Sequence, residues 1–407
     1  MENIKEISSC GLCGCDKLTT YLNFGSSPLA NSLKEKIDEK EFQAPLEIVK
    51  CENTDCQCFQ LKHQVSPEIL FNNYSYRSAI GLQKHFEEYA KTTSEYLKLE
   101  KGDFIVGIGG NTGLLEQEYQ KLGFCNVVNV EPAKNIAQES KQSGVTTFTG
   151  FFNEDIDISG YNHLFAKLIT CNNCFAHTDL KPIIEGVKTL LNEDGFLIIE
   201  NSYWLDVVKN SDAFQCYSEH YFYHHIKGLK NFFDIHGFDL FKVTYSSVQC
   251  GSFRIYVKWK ENKKFEIDNS VAAAIKNEEE FGLFDKETYH DLIGKLFHIK
   301  FKLGTILNEI TQQNKKIGIF GVAAKTVLML KYFGISEYFS LATDDSDLKW
   351  QKFIPGTSIK IVSKDEFWSQ NFDYVLPGAY NFFDFIRERN KDKNCKWIRV
   401  LPKLEIV

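Results

Sequence analysis

The sequence predicts an α/β protein, with a small cysteine-rich unit ahead of two units of alternating strands and helices. Three observations carry that expectation. Cysteines gather in pairs near the start, in CGLCGC (Cys10 to Cys15) and CENTDCQC (Cys51 to Cys58). An apolar run from Phe104, FIVGIGG, ends in glycines and passes straight into a helix-like segment. A second strand and glycine turn, KKIGIFGVAAK, recurs at Lys315 to Lys325. Strands that alternate with helical patterns read as parallel-sheet units.

Composition sets the bounds. The chain has 407 residues, enough for two or three domains, and 43% hydrophobic content allows sizeable cores. A net charge of −7 argues against nonspecific nucleic-acid binding. No stretch reaches the roughly 18–20 uncharged apolar residues of a membrane span. MENIKEISSC lacks the apolar core of a signal peptide, so a cytoplasmic location is expected. In that reducing setting the 12 cysteines should not form structural disulfides, and clustered ones read as metal ligands.

Residues 1–75 form the expected zinc-binding unit. Cys10 and Cys13 make a C-x-x-C, and Cys51 and Cys56 make a C-x-x-x-x-C. Two such thiol pairs suit a closed tetrahedral structural zinc site, with Cys58 as the alternative fourth ligand. So small a unit has little core, and the metal would supply much of its folding free energy. Between the pairs lies a turn-rich stretch around Pro28-Leu29-Ala30. SPEILFNNY then predicts a helix capped by Ser66, and LQKHFEEYAKTTSEYLKLE an amphipathic one. Tyr74, Tyr76 and Arg77 fall between these two helices, placed to cover a ligand.

Residues 76–260 carry a nucleotide-binding pattern. Gly107, Gly109 and Gly113 allow a sharp turn and close backbone approach to a ligand. Glu131 ends the second strand, ~20 residues on, where an acid accepts hydrogen bonds from ribose hydroxyls. A third strand around Thr146 to Thr149 leads to Phe151 and Phe152. A fourth, ending near Thr170, places Asn172, Asn173 and His177 at the carboxyl edge of the sheet, where ligands bind. Asp194-Gly195 reads as a turn before the strand FLIIE. QCYSEHYFYHH then holds Tyr217, Glu219, His220, His224 and His225, and imidazole suits proton transfer near neutral pH. LFKVTYSS and SFRIYVKW read as an antiparallel pair added to the sheet.

Residues 261–407 begin with polar helices and continue as a smaller α/β unit. Its turn, Gly321 to Lys325, is a candidate phosphate site at a helix N-terminus.

The collinear order of several short stretches resembles a known family. They are the two Cys pairs, PLAN (Pro28 to Asn31), Gln60-Leu61, SPEILFNNYSY, EPAKNIA (Glu131 to Ala137) and Phe151-Phe152. NNCFAH (Asn172 to His177), YSEH (Tyr217 to His220), GSFRIYV, GVAAK and IPGTSI complete the set. The chain resembles, over nearly its whole length, the three-domain sugar C-methyltransferases that use S-adenosylmethionine on nucleotide-linked 4-ketosugars. The resemblance implies a zinc-binding N-terminal domain, a central Rossmann-like class I methyltransferase domain and a smaller C-terminal α/β substrate-binding domain. It implies His220 as general base, with Tyr76, His177, Tyr217 and Glu219 around the sugar. Gly107, Gly109, Asn111, Glu131, Pro132, Phe152 and Asn173 would line the cofactor, and Cys10, Cys13, Cys51 and Cys56 would hold zinc. The expected partner is the nucleotide sugar, with no nucleic acid or membrane, and the expected state is a monomer or weak dimer. The family usually has an acid where this chain has Gly107, and often Asp where it has Thr112. Another reaction on a nucleotide sugar, such as O-methylation or elimination, and a non-catalytic ligand-binding relative are the competing readings.

Overall fold

The computed structural model describes residues 3–70, 82–161, 164–248 and 251–407. The expected covering loop with Tyr74, Tyr76 and Arg77 lies outside these residues.

The central sheet has seven strands. Their spatial order is Phe238–Ser246, Ser252–Trp259, Leu191–Ser202, Ala166–Asn172, Phe104–Ile108, Asn126–Glu131 and Thr146–Thr149. The last five are mutually parallel, and the first two are the expected antiparallel pair. Every residue of Phe104–Ile108 is buried, as in a strand covered on both faces. The helices Leu114–Lys121, Lys134–Gln142 and Leu180–Leu190 connect these parallel strands. One local expectation fails. Asp194-Gly195 is not a turn ahead of the strand but part of the single strand Leu191–Ser202, whose register shifts between Leu191 and Phe196. An irregularity within a continuing strand uses the same Asn, Asp and Gly residues as a turn does.

The N-terminal four-stranded sheet borrows a strand. Its order is Phe222–Tyr223, Phe59–Leu61, Gln43–Cys51 and Leu18–Pro28. Phe222 pairs with Gln60 and Tyr223 with Phe59, so the YSEH segment runs directly into the cysteine-bearing unit. The C-terminal sheet has six strands, of which the first five, Lys360–Val362, Leu341–Thr343, Ile317–Phe320, Tyr374–Pro377 and Lys396–Arg399, are parallel. The helix Lys286–Gln312 leads into this unit and buries Tyr289, Leu292, Leu296, Ile299, Leu303, Leu307 and Ile310, a stripe at helical spacing. Trp204 Nε1 donates to Tyr289 Oη at 2.9 Å, tying this helix to the central unit. Among the described residues, no helix is long and apolar enough to cross a membrane.

Candidate active site

A cavity of about 490 Å³ opens at the carboxyl edge of the central sheet, within the size range of small-molecule sites. Gly109, Asn111, Glu131, Pro132, Phe152 and Asn173 all line it, as does His177. The loop that shapes it depends on backbone geometry. Gly109 has φ +61° and Gly113 φ +77°, and a Cβ at Gly109 would lie 2.7 Å from Cys174 Sγ. Asn111 adopts φ +55°, which asparagine tolerates better than most residues. Asn129 fixes the loop: its Oδ1 accepts from Gly110 N at 3.0 Å and its Nδ2 donates to Asn111 O at 3.1 Å.

Glu131 is buried at the second strand's end. Its Oε2 accepts from Asn111 N at 3.0 Å and its Oε1 from Ala133 N at 2.9 Å. Each carboxylate oxygen retains acceptor capacity for a ligand hydroxyl. Gly107 sits one step back, in the strand, where the Glu116 side chain covers it. Glu116 lines the cavity and was not singled out by the sequence pattern.

The YSEH segment converges on the same edge. His177 and Asn173 also line a second, small cavity of about 30 Å³, whose wall includes His220. The His177 and His220 rings lie 4.6 Å apart, centroid to centroid, and the Tyr217 ring lies 4.2 Å from that of His220. His177 Nδ1 lies 2.7 Å from Glu219 O, and His220 Nδ1 lies 2.8 Å from Gln215 O. A carbonyl only accepts, so each Nδ1 carries the proton. Each neutral ring therefore keeps an unprotonated Nε2. Burial drives both imidazoles toward the neutral form: His177 is pushed down to about 4, and His220, with His177 as a second cause, lies well below its ordinary value.

Glu219 is buried, and burial raises its carboxyl above the usual range. Its Oε1 accepts from Asn31 N at 3.2 Å and Asn31 Nδ2 at 3.1 Å. Asn31 ends the PLAN stretch, so that motif serves to hold the YSEH acid. No local pattern could have shown this, because the partners are 188 residues apart. His224 and His225 do not join the His177–His220 pair. His224 Nε2 faces Phe175 O at 3.3 Å, and His225 Nε2 faces Gln57 O at 3.1 Å.

The four expected zinc ligands come together. The sulfurs of Cys10, Cys13, Cys51 and Cys56 all lie within 4.8 Å of one another. Four thiols so grouped fit a tetrahedral zinc. Cys58 is not one of the four: its thiol touches that of Cys10, and its sulfur lies toward Phe59 O at 3.5 Å. The cluster also reaches the active site. Gln60 accepts from Gly11 N at 2.8 Å and donates to Ser9 O at 3.0 Å, and Gln60 pairs with Phe222 two residues after His220.

The C-terminal glycine turn is not the open phosphate site that its sequence suggests. Val322 N already donates to Asp344 Oδ2 at 2.7 Å, and Ala323 N to Thr326 Oγ1 at 3.0 Å. Lys325 Nζ pairs instead with the buried Asp212 at 3.3 Å. An anion there would meet the Asp344 carboxylate.

Comparison with known proteins agrees with this arrangement. Residues 247–402 match the family described as C-methyltransferase C-terminal domain, and residues 10–71 that described as Putative zinc binding domain. With the glycine-turn cavity between them, these domains define an S-adenosylmethionine-dependent C-methyltransferase with a zinc-binding unit. The chain is 27% identical over 396 residues to the C-methyltransferase NovU of Streptomyces niveus. That match spans 96% of this chain and 93% of the relative. The chain is also similar to magnesium protoporphyrin IX methyltransferase from Synechocystis PCC 6803 with bound SAH, at 13% identity and TM-score 0.34, over 45% of this chain and 89% of that one. A methyltransferase from Clostridium acetobutylicum ATCC 824 gives 13% identity and TM-score 0.36, over 47% and 95%.

Proposed function

We propose that this enzyme methylates the carbon beside the ketone of a nucleotide-linked 4-ketosugar. The observation that carries the reading is the imidazole pair, each ring fixed by a backbone carbonyl through Nδ1, next to the cofactor cavity. Such a ring presents a basic Nε2, which is what removal of a carbon proton requires. A proton beside a ketone is acidic enough for this, whereas one beside a plain hydroxyl is not.

In the proposed reaction His220 Nε2 takes that proton, and the ketone oxygen gains enolate charge. A neutral His177 whose Nδ1 proton is committed to Glu219 O cannot donate to this oxygen, so Tyr217 is the better donor. S-adenosylmethionine supplies an electrophilic methyl group on sulfur. The enolate carbon forms the new bond to that methyl as the sulfur–methyl bond breaks, and the sulfur keeps the electron pair. Glu219, held by Asn31, contacts the sugar, and Glu131 takes the ribose. Alignment and enolate stabilisation supply most of the rate.

The proposal divides the chain into 1–75 for zinc, 76–260 for the cofactor and 261–407 for the substrate. It describes a cytoplasmic monomer or weak dimer with reduced thiols. The test pairs a nucleotide-linked 4-ketosugar with the same sugar reduced to the 4-alcohol, using methyl-labelled cofactor. Label should enter a carbon of the ketosugar only. Label on an oxygen, or equal transfer to the alcohol, would replace this reading with O-methylation.

A further inference from the structure

The strand below the cofactor loop carries a glycine where a side chain has no room. A Cβ at Gly107 would lie 1.9 Å from Glu116 Oε1, and a Cβ at Gly110 2.6 Å from the same oxygen. Glu116 therefore fills the space that a residue at 107 would otherwise occupy. It stands in the first turn of the helix Leu114–Lys121 and is 2% exposed, yet it lines the 490 Å³ cavity. Its Oε2 is buried and has no hydrogen-bond partner among the described residues. The charged group that acts on it is another acid, Glu131.

A buried carboxyl with one oxygen unmatched is costly to keep. Burial above all, and then Glu131, pushes Glu116 up to about 8, so without ligand it holds its proton at neutral pH. Such an oxygen is matched when a ligand brings a hydrogen-bond donor into the cavity, and a cationic donor also favours the carboxylate form. S-adenosylmethionine carries two cationic groups, an ammonium and a sulfonium. Only the ammonium has N–H donors to give an unmatched oxygen, so the geometry favours it.

We infer that Glu116 is the carboxylate that binds the cofactor's ammonium group, reaching from the helix into the space that Gly107 leaves open. This rests on the reading that S-adenosylmethionine occupies this cavity. On binding, Glu116 gives its proton to solvent and pairs as an anion. The glycine at 107 and the acid at 116 are then one feature: the first makes room for the second.

The test is calorimetry at pH 7 in two buffers of different ionisation enthalpy, with three ligands. S-adenosylmethionine has both cations, S-adenosylhomocysteine keeps only the ammonium, and 5′-methylthioadenosine has neither. Glu116→Gln should bind the first two at least ~10-fold more weakly, as expected for a lost charge-assisted hydrogen bond. It should bind methylthioadenosine as the wild type does. Wild type should release about one proton with S-adenosylhomocysteine, and the variant none. Gly107→Asp combined with Glu116→Ala should regain much of the lost affinity by restoring an acid to the vacated space. Unchanged affinity for S-adenosylhomocysteine in Glu116→Gln overturns the inference. So does an equal loss of all three ligands, which would make Glu116 a structural group. A wild type that binds none of the three would remove the cofactor reading itself, and this inference with it.

Discussion

His220 and His177 show how one carbonyl decides a side chain's chemistry. The backbone oxygens of Gln215 and Glu219 hold the Nδ1 protons, and burial keeps both rings neutral. The stability consequence has a definite sign. A histidine whose folded value lies below its unfolded one stabilises fully above the ordinary pH of ~6.5 and loses that contribution as pH falls. For His177 the loss runs from about 6.5 down through about 4. The same shift governs rate: kcat/KM should stay level from pH 8 to below 6, with its acid limb well under the ordinary imidazole value. A pH–rate profile that halves near 6.5 would mean that the base is solvated and unshifted. At this scale the sequence was informative wherever chemistry showed in a local cluster, as in YSEH and NNCFAH. It was silent on Asn31 and Glu116, whose roles arise only when distant segments meet. The departure at Gly107 was visible, but what replaces it lies on the following helix.

The elements that present these residues were largely legible. The glycine-ended apolar strands, the acid after the second strand and the antiparallel pair all read correctly, because burial on both faces and period-two alternation leave direct marks. What misled were residues that serve two structures: Asp194-Gly195 in a strand irregularity, and Gly321 to Lys325 in a turn closed by Asp344. The strand Phe222–Tyr223 was also hidden, since a two-residue pairing with a distant sheet has no periodicity to reveal it. That pairing joins the cysteine-bearing unit to the YSEH segment, through Gln60 and the loop of Cys10 to Cys13. One zinc per chain is expected, and Cys56→Ser should lose it and lower the melting temperature of the whole protein. Cys58→Ser should retain the metal, because its sulfur is not among the four that lie mutually within 4.8 Å. Elemental analysis of the two variants checks both halves. Zinc lost from Cys58→Ser and kept by Cys56→Ser would reverse the ligand assignment.

Across the whole molecule, the C-terminal unit reaches His220 through a buried charge cluster. Asp212 pairs with Lys325 and accepts from the Tyr380 hydroxyl, both from that unit. It also accepts from Gln215 Nε2 at 2.7 Å, and the Gln215 carbonyl is the one that orients His220. Removing one partner of a buried ion pair costs about 3–5 kcal/mol, so the joint should be firm. The GVAAK stretch thus contributes its lysine to the charge cluster behind His220. The central claim is that His220 Nε2 removes the proton beside the ketone, and solvent exchange tests it without requiring methyl transfer. In deuterium oxide, with S-adenosylhomocysteine in the cofactor cavity, the wild type should place deuterium on the carbon beside the ketone of the 4-ketosugar. Asp212→Asn should slow this by ~10–100-fold, the order expected for a displaced catalytic group. His220→Asn should slow it by ~10²–10⁴-fold while still binding S-adenosylhomocysteine. Equal deuterium uptake by wild type and His220→Asn would contradict the account and pass the role of base to His177, the other ring of the pair.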